Sequence, residues 1–385
     1  MSTPTRWTPA KLDEMRLVGD PTADAVIAAL DDKEENAVSR LFGQIMRTDD
    51  PVPKALPDAA ERYFEATAVP PSWANEALVR EGEAVFAKYG AELTAALFCA
   101  ALPQCYAAAK GVFVLTATGR MHGHGLERRV LETAQFLIDV VDSGGLSSKG
   151  RGVRTAQKVR LMHAGVREMI RREATKIGFD ESVRGAPICQ ADLTYTLMTF
   201  GYVMLEALSR LGLTLTKREK EAWVHSWRVT GHYMGVLEEN NPVDYADAKA
   251  FSQAYRRHSF AASPEGIELT RSLVNFMKKT LPGRLFDGIP AALIRQLNGD
   301  ALAQMLAVEK APVTSKFIRS EVKLFRALDS HLPGGLRMRP GLGNWFDEFI
   351  EAIVLVSRGG KRAEFRIPNS LSASRRGVSR KKRSR

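Results

Sequence analysis

Apolar residues recur along most of this chain at the three- and four-residue spacing of an amphipathic helix, and no run of useful length alternates with the period of a strand. Asp20-Pro21 opens one such pattern through Ala25, Val26 and Leu30, with proline in the first turn. The Pro-rich break TAVPPS, residues 67–72, precedes a helix predicted to begin near Trp73. Residues 91–109 are apolar all round, which predicts a buried helix broken at Pro103. Residues 127–142 are strongly amphipathic and stop at Ser143-Gly144-Gly145. A flexible connection is expected at Gly150 to Gly152, then a helix over 158–176 closed by Gly178. Residues 190–211 are apolar and end at Gly212, and residues 217–235 give another helix. Ser263-Pro264-Glu265 has the form of a further helix start, and the last packed element is expected at 345–356. The pattern predicts an all-α protein, with no repeat of fixed period.

Charge changes this picture only at one end. The formal net charge over 385 residues is +11. Residues 357–385 hold eleven Lys and Arg against the single acid Glu364, which leaves residues 1–356 at +1. A nearly neutral body is not a nucleic-acid-binding surface by charge alone, so no specific nucleic acid is expected as a partner. From Ser370 onward the chain is Ser, Arg and Lys of low complexity, and a disordered basic tail is expected there. At 45% hydrophobic and 26% charged, the remainder has the composition of a globular protein.

Cys99, Cys105 and Cys189 form no CxxC and no CxxCH, which argues against a thiolate zinc site and a covalently attached haem. The first residues carry neither an apolar signal core nor a twin arginine, and no apolar run reads as spanning a bilayer. A cytoplasmic protein without membrane insertion is expected.

Two clusters could carry chemistry. His163 shares a helical face with Val159, Val166 and Ile170, and a histidine on an apolar face is costly unless its ring nitrogens are satisfied. It is either a core histidine bonded to a backbone carbonyl or an axial ligand to a haem whose porphyrin fills the apolar space around it. Arg129 and Thr133 are four residues apart on another helix, with Glu132 beside them. They form either a solvated surface group or an inward-facing polar group, which is expensive and often marks function. His225 and His232 lie about 10.5 Å apart along one helix, too far to share a metal, and read as packed core aromatics beside Trp223 and Trp227. His122 and His124 flank Gly123 in a glycine-bearing loop. No P-loop, dinucleotide fingerprint or nucleophile elbow occurs, and Cys105 has no evident histidine partner.

The segments PSWANEALVREGEAVFAKYG, ALPQCYAAAKGVFVLTATGRM, RRVLETAQFLIDVV, KVRLMHAGVR, QADLTYTLMTFGYVMLEALSRLG and EAWVHSWRVTGHYMGV, in this order, carry a resemblance. The chain resembles the latex-clearing-protein and MpaB-like oxygenase family over roughly residues 7–371. That resemblance implies a single compact helical bundle around a non-covalent haem b, spanning residues 1–371, with 372–385 as the appended tail. It implies that His163 is the proximal axial ligand to the haem iron, with Lys158 and Arg160 on the same segment as further cofactor-binding candidates. It places Arg129 and Thr133 on the distal, oxygen-binding side. Some latex-clearing members carry a lysine where this chain has Glu132, which here could serve as a general base. Their upstream acid has no counterpart in residues 107–118, where the only charge is Lys110. O2 is the implied co-substrate, with an electron donor if turnover needs one. The absence of an export signal favours a small apolar alkene or isoprenoid over rubber, with oxidative C=C cleavage as the implied reaction. Hydroxylation or desaturation is the alternative within the class. A non-catalytic helical protein that docks through its basic tail is the alternative outside it. Oligomeric state is not specified.

Overall fold

The computed structural model of this chain describes residues 6–31, 37–45, 56–117, 124–280 and 288–311, with 314 and 316. The expectations for 345–356, for the tail 372–385 and for His122 lie outside the described residues. Among the described residues the chain is helical, with one isolated bridge between Ala108 and Phe260.

Four helices lead in: α1 Pro9–Arg16, α2 Pro21–Asp31, α3 Ala37–Gln44 and α4 Asp58–Ala66. The central run is α5 Glu76–Ala96, a π-helical turn Leu97–Ala101 and α6 Leu102–Tyr106. Next come α7 Phe113–Ala117, α8 His124–Val141, α9 Arg151–Arg172, α10 Ala174–Ile177 and α11 Glu181–Arg184. A second run is α12 Gln190–Met198, a π turn Thr199–Val203 and α13 Met204–Arg210. The remainder is α14 Lys217–Tyr233, α15 Tyr245–Ser259, α16 Pro264–Thr280, α17 Ile289–Asn298 and α18 Asp300–Met305.

The ends of these helices follow local chemistry. Asp20 Oδ1 accepts from the Ala23 amide ahead of α2, and Asn75 Oδ1 caps α5 through the amides of Ala77 and Leu78. That cap puts the start of α5 after Trp73, which lies in the preceding turn. Thr216 and Glu219 form a reciprocal capping box on α14, and Ser263 Oγ accepts from Gly266 N at the start of α16. Gly178, Gly212 and Gly235 adopt positive φ where their helices stop.

The helix over 91–109 is not broken at Pro103, as the sequence suggests. Proline removes one amide donor, and a π turn placed just before it lets the helix continue. The Cys99 carbonyl, which the missing donor leaves open, accepts instead from Asn298 Nδ2 at 2.8 Å. The second π turn is met in the same way, with Trp223 Nε1 donating to Phe200 O at 2.8 Å. The two turns pack against each other in the middle of the molecule. The run Glu76–Tyr106 is long and apolar enough to cross a membrane. Here it packs against α13, α14 and α17, and that burial accounts for its composition without a bilayer.

The link between α8 and α9 also differs from expectation. Gly150 to Gly152 is not a flexible connection. Gly150 immediately precedes α9, which begins seven residues before the expected Lys158. A Cβ on Gly150 would lie 2.2 Å from the Gly145 carbonyl oxygen, so glycine is required for the close approach of two chain segments. Buried Asp139 on α8 accepts from Thr155 on α9 at 2.8 Å and fixes the two helices side by side.

Candidate active site

One cavity, with about 1620 Å³ of empty space including its mouth, lies between α6, α8, α9 and α12. Each helix gives it one stripe. From α9 come Val159, Met162, His163 and Val166, and from α8 come Arg129, Glu132, Thr133 and Phe136. Both sets have the i, i+3, i+4, i+7 spacing of a single helical face. Leu102, Cys105 and Tyr106 come from α6, and Asp192, Thr196 and Thr199 from α12 and the π turn after it. The lining is mostly apolar, with a few convergent polar groups, as is usual for a ligand site.

His163 is half-buried, and the surface it keeps faces this cavity. Among the described residues its ring has no hydrogen-bond partner, so the reading of a core histidine tied to a carbonyl finds no support in the geometry. Burial, aided by the cations Arg167 and Arg129, lowers its pKa to about 3. The imidazole is therefore neutral at ordinary pH, which is the form that binds a metal.

This has a consequence for the metal-free protein. Between pH about 6.5 and 3 the unfolded chain binds a proton at His163 that the folded chain does not. Stability therefore falls as pH drops below about 6.5, by at most about 1.4 kcal/mol per unit. His163→Gln removes this slope, and urea midpoints measured from pH 7 to 4 check it. Parallel wild-type and variant curves would show that the ring is not held neutral.

Arg129, on the neighbouring helix α8, is also half-buried and lines the cavity, and its guanidinium has no hydrogen-bond partner among the described residues. Burial lowers its pKa, while Glu132 and Tyr106 act in the other direction, and an arginine stays charged throughout. Thr133 faces the cavity too, but its hydroxyl donates to Arg129 O four residues back, at 2.8 Å. Its proton is taken, which leaves the Thr133 hydroxyl as an acceptor only. Glu132 is buried and ion-paired with Arg128 Nε at 2.8 Å, with side-chain exposures of 7% and 31%. The charge on Glu132 is thus stabilised from the outer side while the residue borders the cavity.

Two residues assigned to the cofactor from sequence are placed elsewhere. Arg160 does not line the cavity. Its Nε and Nη2 donate to Asp20 at 2.5 and 2.9 Å, a buried bidentate pair. Lys158 is buried on α9 and is likewise not among the cavity-lining residues. His225 accepts from Asn75 N at 2.9 Å, and the rings of both His225 and His232 stand edge-on to Trp73, so this group is packing between α14 and the turn before α5.

Tyr106 and Asp192 were not singled out by sequence. Burial raises the Tyr106 hydroxyl pKa, which keeps it protonated near Arg129. Asp192 accepts from Arg16 at 3.0 Å and from Tyr255 at 2.6 Å. The signal for Tyr106 was available as the stripe Leu102, Cys105, Tyr106. Nothing local marks Asp192, because its partners come from distant segments. Burial raises the Cys105 thiol to about 11, so it is not a thiolate.

The chain has relatives that share this architecture. The family model described as ER-bound oxygenase mpaB/B'/Rubber oxygenase, catalytic domain, matches residues 80–328. A rubber oxygenase from Streptomyces sp. (strain K30) is 28% identical over 313 residues, which cover 78% of this chain and 73% of that protein. The solved structure of latex clearing protein in its closed state matches with a TM-score of 0.77 at 24% identity, over 92% of this chain and 95% of that one. Both π turns and the α6, α8, α9 and α12 stripes fall within the matched residues.

Proposed function

This chain belongs to the mpaB/B'/rubber oxygenase catalytic-domain family, and from that premise we propose that it is a haem b-dependent oxygenase acting with O2 on a small apolar, alkene- or isoprenoid-like substrate. The observation that carries the reading is a pair of groups lining one mostly apolar cavity, neutral His163 and cationic Arg129, neither with a hydrogen-bond partner among the described residues. The donor set fits haem: a buried neutral imidazole suits the iron, and the apolar stripe Val159, Met162, Val166 suits the porphyrin. His163 would hold the group. The bound haem would supply the oxygen chemistry.

The chain's own residues do the rest. Arg129 presents its N–H groups to a mostly apolar cavity, where they stabilise negative charge on an oxygen atom. Glu132 accepts a proton at its carboxylate and, with Arg128 against it, returns to the charged form afterwards. Phe136, Val130 and Leu193 exclude water and orient an apolar chain. C=C cleavage to two carbonyl products is the reaction proposed, in a protein proposed to be cytoplasmic.

Purified protein supplied with haem should show a Soret band and consume O2 with alkenes, giving split products that together carry two added oxygen atoms. Unsplit products with one oxygen added or two hydrogens lost would make it a hydroxylase or desaturase. Haem retained without O2 consumption would make it a binding protein, and no haem uptake would reject the reading. Glu132→Gln should leave haem binding intact and lower turnover by about 10²–10⁴-fold. Fold should survive, since Arg128 is 31% exposed and stays in contact with water. Unchanged turnover would remove Glu132 from the chemistry.

A further inference from the structure

Residues 6–31 lie across the helices that build the cavity, and their charged groups meet those helices one by one. Asp20 receives Arg160 at 2.5 and 2.9 Å, and Asp24 receives Arg167 Nε at 2.7 Å. Arg160 precedes His163 by three residues and Arg167 follows it by four, so the two ion pairs straddle His163 on α9. Both arginines are buried, and an unpaired buried guanidinium is strongly disfavoured, so each pair fixes where its stretch of α9 can sit.

The carboxylates are themselves held. Asp20 Oδ1 accepts from Ala23 N, and Asp24 Oδ2 accepts from Asp20 N, so both belong to the N-terminal turn of α2. The backbone of Gly235 presses on the first pair: a Cβ there would lie 2.3 Å from Asp20 Oδ2 and 2.5 Å from Arg160 Nε. Gln190 ties the same corner, donating to Gly19 O at 2.7 Å and Gly235 O at 2.9 Å.

We infer that residues 6–31 form a strap whose Asp20 and Asp24 set the rotation of α9 and thereby aim His163 into the cavity. Both are positioning residues, since neither lines the cavity. The haem part of the test rests on the function proposed above; the strap itself does not. A helix turned by one residue, 100°, would carry His163 off the cavity wall and bring in the neighbouring Ala164.

The test uses the full chain with Asp20→Asn and Asp24→Asn, which keep the shape and remove the charge. Asp24, with 29% side-chain exposure, is the milder change should the Asp20 variant fail to fold. Hydrogen exchange of the haem-free protein should quicken by about tenfold or more in α9 and not in α14 or α16. Haem release from the loaded variants should quicken by a similar factor, and the spectrum of the ferric form should show a changed axial imidazole. Asp24→Glu, which restores the charge, should recover most of both. Exchange unchanged in α9, or raised evenly over all helices, overturns the inference. Wild-type protein that takes up no haem overturns the proposed function instead, and the exchange measurement still decides the strap.

Discussion

Replacing His163 with alanine should yield a folded protein that no longer holds haem. Losing a second-shell partner of a metal ligand typically costs about 10–100-fold in affinity, and losing the ligand itself should cost more. No other histidine whose side chain is described lines the cavity. His225, His232 and His258 are bonded away from the cavity, to Asn75 N, Val69 O, and Ser259 with Asp13. Cys105 borders the cavity but its thiol pKa is pushed up to about 11, so it offers no thiolate. Met162 and Met234 offer only thioethers. The fold should survive because the imidazole makes no hydrogen bond among the described residues and its removal enlarges a space that already exists. The measurement is a haem titration followed at the Soret band beside far-UV circular dichroism. Free imidazole should restore binding in His163→Gly, where the ring can re-enter as a small molecule. A His163→Ala protein with wild-type haem affinity would place the ligand elsewhere.

That residue also shows how far the sequence could be read. The period placed His163 on the apolar face of α9, and the same arithmetic put Arg129, Glu132 and Thr133 on one face of α8. Those are local facts, and helical geometry delivers them. The stop signals were local too: Gly178, Gly212 and Gly235 all end helices with positive φ. What was not legible depends on segments far apart in the chain. Arg160 looked like a group for the cofactor because it sits near His163, yet its partner is Asp20, 140 residues away. Gly150 looked flexible because glycine usually permits motion, whereas here it permits contact with the Gly145 carbonyl. The π turns were invisible because their carbonyl partners, Asn298 and Trp223, come from other helices. Thr133 is an intermediate case. A threonine inside a helix often bonds back to the carbonyl four residues earlier, so the loss of its free proton could have been anticipated.

The same contrast gives a large expected effect on turnover. Arg129→Leu should lower the oxygenase rate by about 10²–10³-fold, the usual cost of removing a preorganised donor from developing negative charge. Thr133→Val should lower it by less than about tenfold, because the hydroxyl proton already belongs to Arg129 O and is not offered to the cavity. The two changes are close in apolar character, so they separate donation from packing. Arg129→Leu also removes a cation that depresses the His163 pKa, so the ring protonates at a somewhat higher pH, and haem binding should be kept near neutrality and slightly weakened at low pH. It leaves Glu132 with Arg128 as counter-charge, so the helix need not unfold. Arg129→Lys should recover only part of the rate, because an ammonium on a flexible stem cannot reproduce the guanidinium fork. Steady-state O2 uptake with one alkene, corrected for haem content, ranks the four proteins. If Thr133→Val is the more damaged of the two, the proton on Thr133 is released during turnover and the donor is Thr133. If neither loses activity, stabilisation of the oxygen atom does not limit the rate, and the cavity acts through placement of the substrate.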